Sequence, residues 1–240
     1  MKKCSIEVSS IETMGLLDGP GVRVVVFLSK CNLRCIYCHN PETWCTSGTN
    51  YDVKELFKKI MRYKSYIKNG GVTFSGGEPL LQADALIEII KMLKDEGIHV
   101  AIDTAGYVKI DDSIKKVLDL SDLIILDIKS TNSKKYFEIT GGDISYQDDF
   151  INYVNTLDKQ VWIRQVIVPE VNDNEANIVE LNQYIKKIKN VDKVELLGYH
   201  DMAKDKYNDL GIPYRLLNTP NMDVVKLKRL QESIIFNKSH

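Results

Sequence analysis

Two spacings of apolar residues alternate along the chain. Residues 22–28 form an unbroken apolar run rich in β-branched side chains, as a strand buried on both faces requires. Over 51–68, Val53, Leu56, Phe57, Ile60 and Met61 fall at helical spacing, with Asp52 as an N-cap and Gly70-Gly71 as a stop. The pairing then repeats: a strand at 72–75 and an amphipathic helix at 80–96 ending on Gly97. A strand at 98–103, a helix at 111–120 and a strand at 123–128 follow. Helical stretches at 132–139 and 146–157 lead to a strand at 160–168, a helix at 174–189, a strand at 193–199 and a closing helix at 222–236.

Such alternation predicts an α/β fold with a parallel sheet and right-handed, helix-covered crossovers. With about six βα units rather than the eight of a closed barrel, the expectation is a partial, open TIM-like barrel. An open doubly wound sheet gives the same alternation, and periodicity alone does not separate the two. No repeat or linker divides the sequence, so one domain over residues 1–240 is expected.

Unusual polar residues collect where the strands end. They are the 31–38 segment, Gly76-Gly77-Glu78-Pro79, Asp103-Thr104, Asp127-Ile128-Lys129 and Tyr199-His200. Barrel-type folds place active sites on that rim. Solubility explains five such clusters poorly; a site explains them well.

Composition narrows the choices. The chain is 44% hydrophobic and 27% charged with net charge −1, an ordinary globular balance with no basic footprint for nucleic acid. No apolar run reaches the roughly 18 residues of a membrane span, and no signal-peptide stretch follows Met1. The expectation is a cytoplasmic protein without nucleic-acid or membrane partners.

The chemistry lies in the cysteines. Cys31-Asn-Leu-Arg-Cys35-Ile-Tyr-Cys38 has CxxxCxxC spacing in a loop leaving an apolar strand. Thiolates suit zinc or iron–sulfur. A structural zinc needs a fourth ligand from His39, Cys45 or farther away. A [4Fe–4S] cube on three cysteines leaves one iron position open to a cofactor, and three close thiols with no obvious fourth ligand favour it over zinc or over cysteines packed as small hydrophobes. Cys4 and Cys45 match no ligand position and read as ordinary residues.

CxxxCxxC after a first strand resembles the radical S-adenosylmethionine (SAM) signature. Further motifs resemble the pyruvate formate-lyase activating enzyme family: Asp18-Gly-Pro-Gly-Val-Arg23, Tyr37-Cys-His-Asn-Pro41, Thr73-Phe-Ser-Gly-Gly-Glu-Pro79, Asp127-Ile-Lys129, Val161-Trp-Ile-Arg164 and Leu196-Leu-Gly-Tyr-His200. The likeness runs in order over about residues 5–215. Many related activases carry a ferredoxin-like insert between CxxxCxxC and GGE, and its absence here favours the pyruvate formate-lyase branch. Gln165 and Gly198 depart from the family pattern.

The resemblance implies that Cys31, Cys35 and Cys38 ligate a [4Fe–4S] cluster that reductively cleaves SAM to a 5′-deoxyadenosyl radical, which takes a Cα hydrogen from a glycine of pyruvate formate-lyase. It implies SAM contacts from Tyr37, His39, Asn40, Gly76, Gly77, Glu78, Asp127, Ile128, Lys129, Arg164 and His200. Asp103, Thr104 and Asp127 would hold a monovalent cation, sodium or potassium. Asp18 would meet the substrate's glycine loop, although Asp-Gly-Pro is also a good turn sequence. Alternatives weighed on the residues are a rim role for Lys129, a structural ion pair of Arg164 with Glu195, and a hydrogen-bonded network for the acidic strand ends. With no second cluster in the sequence, flavodoxin or ferredoxin would supply the electron. Activation of another glycyl radical enzyme, a small-molecule substrate, and a metal-stabilised binding protein are the competing readings.

Overall fold

The computed structural model describes residues 4–45 and 48–236, without the side chain of Cys45. Among the described residues the strands are β1 (Ser5–Gly15), β2 (Arg23–Leu28), β3 (Thr49–Asp52), β4 (Gly71–Gly76), β5 (Val100–Thr104), β6 (Leu123–Asp127), β7 (Gln160–Ile167) and β8 (Val191–Gly198). The helices are α1 (Glu42–Cys45), α2 (Val53–Met61), α3 (Ala83–Asp95), α4 (Asp112–Leu120), α5 (Ser133–Thr140), α6 (Ser145–Val154), α7 (Glu175–Ile185), α8 (Lys204–Asp209) and α9 (Val224–Glu232), with a 3₁₀ turn over Pro79–Gln82.

The strands form one sheet in the order β3-β1-β2-β4-β5-β6-β7-β8, an open arrangement. Pairs β2/β4, β4/β5 and β7/β8 are parallel. The six strands expected from the sequence are β2 and β4 to β8. Two more precede and extend them: β1 runs antiparallel to β2 and β3 antiparallel to β1. Polar Ser, Glu and Thr at alternate positions dilute the apolar signal of β1, of which Ile6 and Val8 are buried.

The helix expected over 51–68 is shorter. Asp52 does cap it, its carboxylate accepting from Lys54 N at 2.9 Å, but it ends at Met61. Tyr63 N then bonds Ile60 O and Tyr66 N bonds Tyr63 O, three-residue spacings that tighten the chain into turns before Gly70.

Contacts divide into two compact units. One takes the chain up to Asn32, Thr43–Thr104 and Val108–Ile125; the other takes Leu33–Glu42, Ala105–Tyr107 and the chain from Leu126 onward. In the first, α2 lies beside α3 and α3 beside α4. Leu56, Leu86, Ile89, Ile90, Leu93, Val117 and Leu118 on these helices are fully buried, as are Val24, Val26, Phe74 and Ile102 on the strands. Hydrophobic burial of this kind dominates the favourable side of folding. Lys94 of α3 grips Asp122 at 2.5 Å, and Asp122 accepts from Val100 N at 2.8 Å, tying α3 to the start of β5.

The second unit has its own core of Tyr136, Phe150, Val161, Ile163, Ile167 and Leu181. Asn132 and Asn174 cap α5 and α7, each accepting from the backbone three residues on. Such caps contribute about 1 kcal/mol each. The Gln231 carboxamide of α9 takes Leu196 N and gives to Val194 O, satisfying the exposed edge of β8 as another strand would.

Candidate active site

In the first unit the turn after β4 lies directly on the start of the cysteine loop. Gly77 N donates to Leu28 O and Glu78 N to Lys30 O, both at 2.8 Å. A Cβ on Gly77 would stand 2.0 Å from Lys30 O and 3.3 Å from the Cys31 Cβ; on Gly76, whose φ is +109°, it would stand 2.4 Å from Leu28 N. Only glycine lets the two backbones approach so closely. The Gly-Gly-Glu turn and Cys31, separate motifs in the sequence, are thus neighbours.

Glu78 is almost fully buried. Its carboxylate accepts from Thr104 Oγ1 at 2.7 Å and from Leu80 N at 3.2 Å, capping the 3₁₀ turn. Ser75 Oγ donates to Asp103 Oδ2 at 2.9 Å. Asp103 and Thr104 of this unit thus each have a hydrogen-bond partner, Ser75 and Glu78 respectively. Asp18 is half-buried, and its main-chain carbonyl accepts from Thr73 Oγ1.

In the second unit the rest of the cysteine loop is pinned to the end of α5: Arg34 N donates to Thr140 O at 2.8 Å and Ile36 N to Ile139 O at 2.9 Å. Helix α8 holds it from the C-terminal side. Tyr207 Oη donates to Cys38 O at 3.1 Å, and Lys206 Nζ reaches His39 O, Asn40 Oδ1 and Glu42 Oε1 at 3.0, 2.9 and 2.8 Å. Sequence reasoning missed both residues. A six-residue helix of polar composition gives no periodic signal, and nothing local connects position 206 to position 39.

His39 and His200 stack with ring centroids 3.9 Å apart. His39 Nε2 lies 3.1 Å from His200 O, so that nitrogen carries the proton and donates. Burial first, then the second ring, hold the His39 pKa below its ordinary value.

Lys129 and Asp127 pair at 2.5 Å, and the ammonium lies 5.6 Å from the Tyr37 ring centroid. Burial alone would lower the Lys129 pKa; Asp127, then Tyr37 and Cys35, outweigh it and hold the lysine charged. Burial raises that of Tyr37. Ile128 N donates to Arg164 O at 2.7 Å, keying the exit of β6 to β7. Arg164 itself sends Nε to Glu195 Oε2 at 3.3 Å, its register partner on β8, so the structural ion pair is present.

Among the described residues, the buried side-chain polar atoms of this unit without a hydrogen-bond partner include Tyr37 Oη, Asp127 Oδ1 and His200 Nδ1, and also Gln147 Oε1 and Gln165 Nε2. Buried polar groups are nearly always satisfied, and Tyr37 Oη and Asp127 Oδ1 belong to the two residues that flank the Lys129 ammonium, an arrangement suited to a polar ligand. SAM, with a charged amino-acid group, a ribose and a base, is a polar ligand of that kind. Cys4, Cys31, Cys35 and Cys38 are thiols, not disulfides. Among the described residues no three His, Cys, Asp or Glu side chains are grouped to hold a single metal ion, and no helix is long and apolar enough to cross a membrane.

Residues 17–140 match the family model described as a 4Fe-4S single cluster domain. A pyruvate formate-lyase-activating enzyme of Clostridium pasteurianum is 48% identical over 94% of this chain and 95% of its own length. The enzyme of the same name from Listeria monocytogenes is 39% identical over 92% of this chain and 93% of its own. Among solved structures, a domain of a pyruvate-formate lyase-activating enzyme from Bacteroides vulgatus is 25% identical, with TM-score 0.56 over 69% of this chain and 92% of that one. A radical SAM methyltransferase from Sphaerobacter thermophilus shares the fold at TM-score 0.63, over 88% of this chain and 63% of that one, with 15% identity.

Proposed function

The chain belongs to the pyruvate formate-lyase-activating enzyme family of radical SAM proteins, and on that footing we propose that it activates pyruvate formate-lyase by removing one Cα hydrogen from a glycine of that enzyme. Cys31, Cys35 and Cys38 would hold the [4Fe–4S] cluster and leave one iron position without a protein ligand. When bound, cluster and SAM together supply a one-electron cleavage that yields methionine and a 5′-deoxyadenosyl radical.

The chain's own work is to bind, orient and exclude water. The Lys129 ammonium, kept charged by Asp127, is suited to an anionic group of SAM. Tyr37, His39, Asn40 and His200, with Ile128 and Arg164 behind them, would position the nucleoside. Gly76, Gly77 and Glu78 would offer backbone and carboxylate acceptors to the methionyl amine. Asp103, Thr104 and Asp127 would hold sodium or potassium, and Asp18 would meet the substrate's glycine loop. Flavodoxin or ferredoxin would deliver the electron, in the cytoplasm.

The observation that supports this reading most is the buried Lys129 ammonium beside Tyr37, which lies within the cysteine motif, and Asp127, with Tyr37 Oη and Asp127 Oδ1 both lacking a hydrogen-bond partner among the described residues. The test is anaerobic incubation of the reconstituted, reduced protein with SAM and pyruvate formate-lyase from the same cell. A persistent glycyl radical signal is expected by EPR. SAM cleavage with no such signal on any glycyl radical enzyme of the host would transfer the reading to a small-molecule substrate.

A further inference from the structure

The Asp18-Gly-Pro-Gly turn of the first unit is built around a buried guanidinium. Arg23, the first residue of β2, is fully buried. Its Nη1 donates to Pro20 O at 3.1 Å, Nη2 to Val72 O at 2.7 Å, and Nε to Thr73 Oγ1 at 2.6 Å. Thr73 Oγ1 in turn donates to Asp18 O at 2.5 Å. Nη2 also lies 3.2 Å from His99 Nδ1; arginine only donates, so that ring nitrogen accepts. Arg23 thus holds the turn twice, directly at Pro20 and through Thr73 at Asp18.

Gly19 has φ +129°, and a Cβ there would meet Arg23 Cδ and Nε at 2.9 Å. Gly21 has φ +68°, and a Cβ there would stand 2.5 Å from Asn69 O. Gly19 is thus confined by the arginine, and Gly21 by the backbone of Asn69 and Gly70. Burying a guanidinium is costly even when every donor is used. An apolar side chain would fill a core position more cheaply, so the arginine has a task at the turn. Burial lowers the Arg23 pKa from its ordinary value to about 10, against the opposing pull of Asp18 and Asp122, so it stays a cation at neutral pH.

We propose that Arg23, acting through Thr73, is a positioning residue that fixes the Asp18 turn in the conformation that receives the glycine-bearing segment of the protein substrate. The inference rests on the proposed function, in which Asp18 meets that segment. A radical abstraction needs its target carbon held to within a fraction of an ångström, and a turn frozen in advance removes ordering entropy from substrate binding. The effect is therefore on KM for the protein substrate.

Thr73→Val removes the relay hydroxyl with almost no change of shape, and Thr73→Ser restores it. With pyruvate formate-lyase, or a peptide carrying its glycine sequence, as substrate, Thr73→Val is expected to raise KM roughly tenfold with kcat within about twofold, and Thr73→Ser to recover most of the loss. Hydrogen exchange at the amides of residues 15–23 should quicken in Thr73→Val while that of α3 and the iron content per chain stay unchanged. Arg23→Lys, which keeps the charge but not the fork of donors, should show the same KM shift. A wild-type KM in Thr73→Val, a rise that Thr73→Ser fails to reverse, or equal loss of kcat and iron overturns the inference. Asp18→Ala separates the two layers: a wild-type KM there removes the role given to Asp18 and the inference with it. A raised KM in Asp18→Ala beside an unchanged Thr73→Val removes the inference alone.

Discussion

The hydroxyl of Tyr207 donates to the carbonyl of Cys38 at 3.1 Å, joining positions 169 residues apart in sequence. With the three bonds of Lys206 to His39, Asn40 and Glu42, it makes α8 the clasp of the cysteine loop's C-terminal side. A single such bond contributes about 1 kcal/mol, and the half-exposed lysine contributes less than its bond count suggests. Tyr207→Phe combined with Lys206→Met should leave the fold intact while the reconstituted cluster loses iron several times faster in air, followed by its visible absorbance. Equal decay in variant and parent would reduce the clasp to an ordinary surface contact.

Cys31→Ala, Cys35→Ala and Cys38→Ala should each abolish the four-iron cluster on anaerobic reconstitution, whereas Cys4→Ala and Cys45→Ala should retain it. Iron and sulfide analysis decides. Loss of the cluster in Cys45→Ala would bring that residue into the ligand set, and one zinc per chain in place of four irons would overthrow the assignment.

A side chain at Gly77 has nowhere to go. Its Cβ would lie 2.0 Å from the Lys30 carbonyl, a backbone atom, so Gly77→Ala must push the turn away from the Cys31 loop. Gly97→Ala is the matched control: φ is +69°, and nothing lies within 4 Å of the added carbon, so it meets only backbone strain of about 1 kcal/mol. Both variants should fold, but only Gly77→Ala should lose SAM affinity, by tenfold or more on the scale of about 1.4 kcal/mol per decade. Calorimetric titration with SAM reads the difference; similar affinities in the two would mean the close approach is not needed for binding.

His99 accepts a hydrogen bond from Arg23 and faces Asp122 and Lys94. Burial first, then the Arg23 charge, place its pKa below the ordinary 6.5, against the opposing pull of Asp122. A folded pKa below the unfolded one means that the unfolded chain binds the proton first as pH falls. The stability tied to a neutral His99 is therefore complete above about pH 6.5 and drains away as pH drops through the folded value. His99→Gln keeps an acceptor for Arg23 but does not titrate. Thermal melts at about pH 7 and about pH 5 should show a shallower acid loss in His99→Gln than in the parent. Parallel slopes would mean that His99 titrates alike in both states.

Most of the fold was legible because β2 is a continuous apolar run, because β4 to β8 alternate with segments of helical spacing, and because α4, α5 and α7 begin on Asp111, Asn132 and Asn174. What escaped was non-local. β1 gains its place by pairing with β2, not by its own apolar content. Lys206 and Tyr207 act only because the fold returns them to Cys38. Arg23 read as the end of a turn motif, yet its role depends on Thr73 and His99, which lie 50 and 76 positions away. Arg164 shows the opposite case: an arginine inside an apolar strand demanded a partner, and Glu195 on the next strand supplies it.

Lys129 and Asp127 offer a way to separate folding from ligand binding. Their side chains are 12% and 20% exposed, and Asp127 already has one oxygen, Oδ1, without a protein partner. Lys129→Met leaves that carboxylate buried without its cation, and breaking a buried pair from one side costs up to about 3–5 kcal/mol, less here because some solvent reaches both groups. Asp127→Asn strands the ammonium in turn. The double variant removes both charges and should recover most of the lost stability, since replacing a buried pair by neutral groups is often nearly neutral. If the pair serves only the fold, the double variant should also recover SAM binding. If the ammonium and the unpartnered oxygen serve the ligand, stability returns and affinity does not. We expect the second result: a melting temperature within a few degrees of the parent beside a loss of SAM affinity of at least tenfold, measured by titration of the reconstituted protein. Recovery of both together would make Lys129–Asp127 a structural pair and take Lys129 out of the binding site.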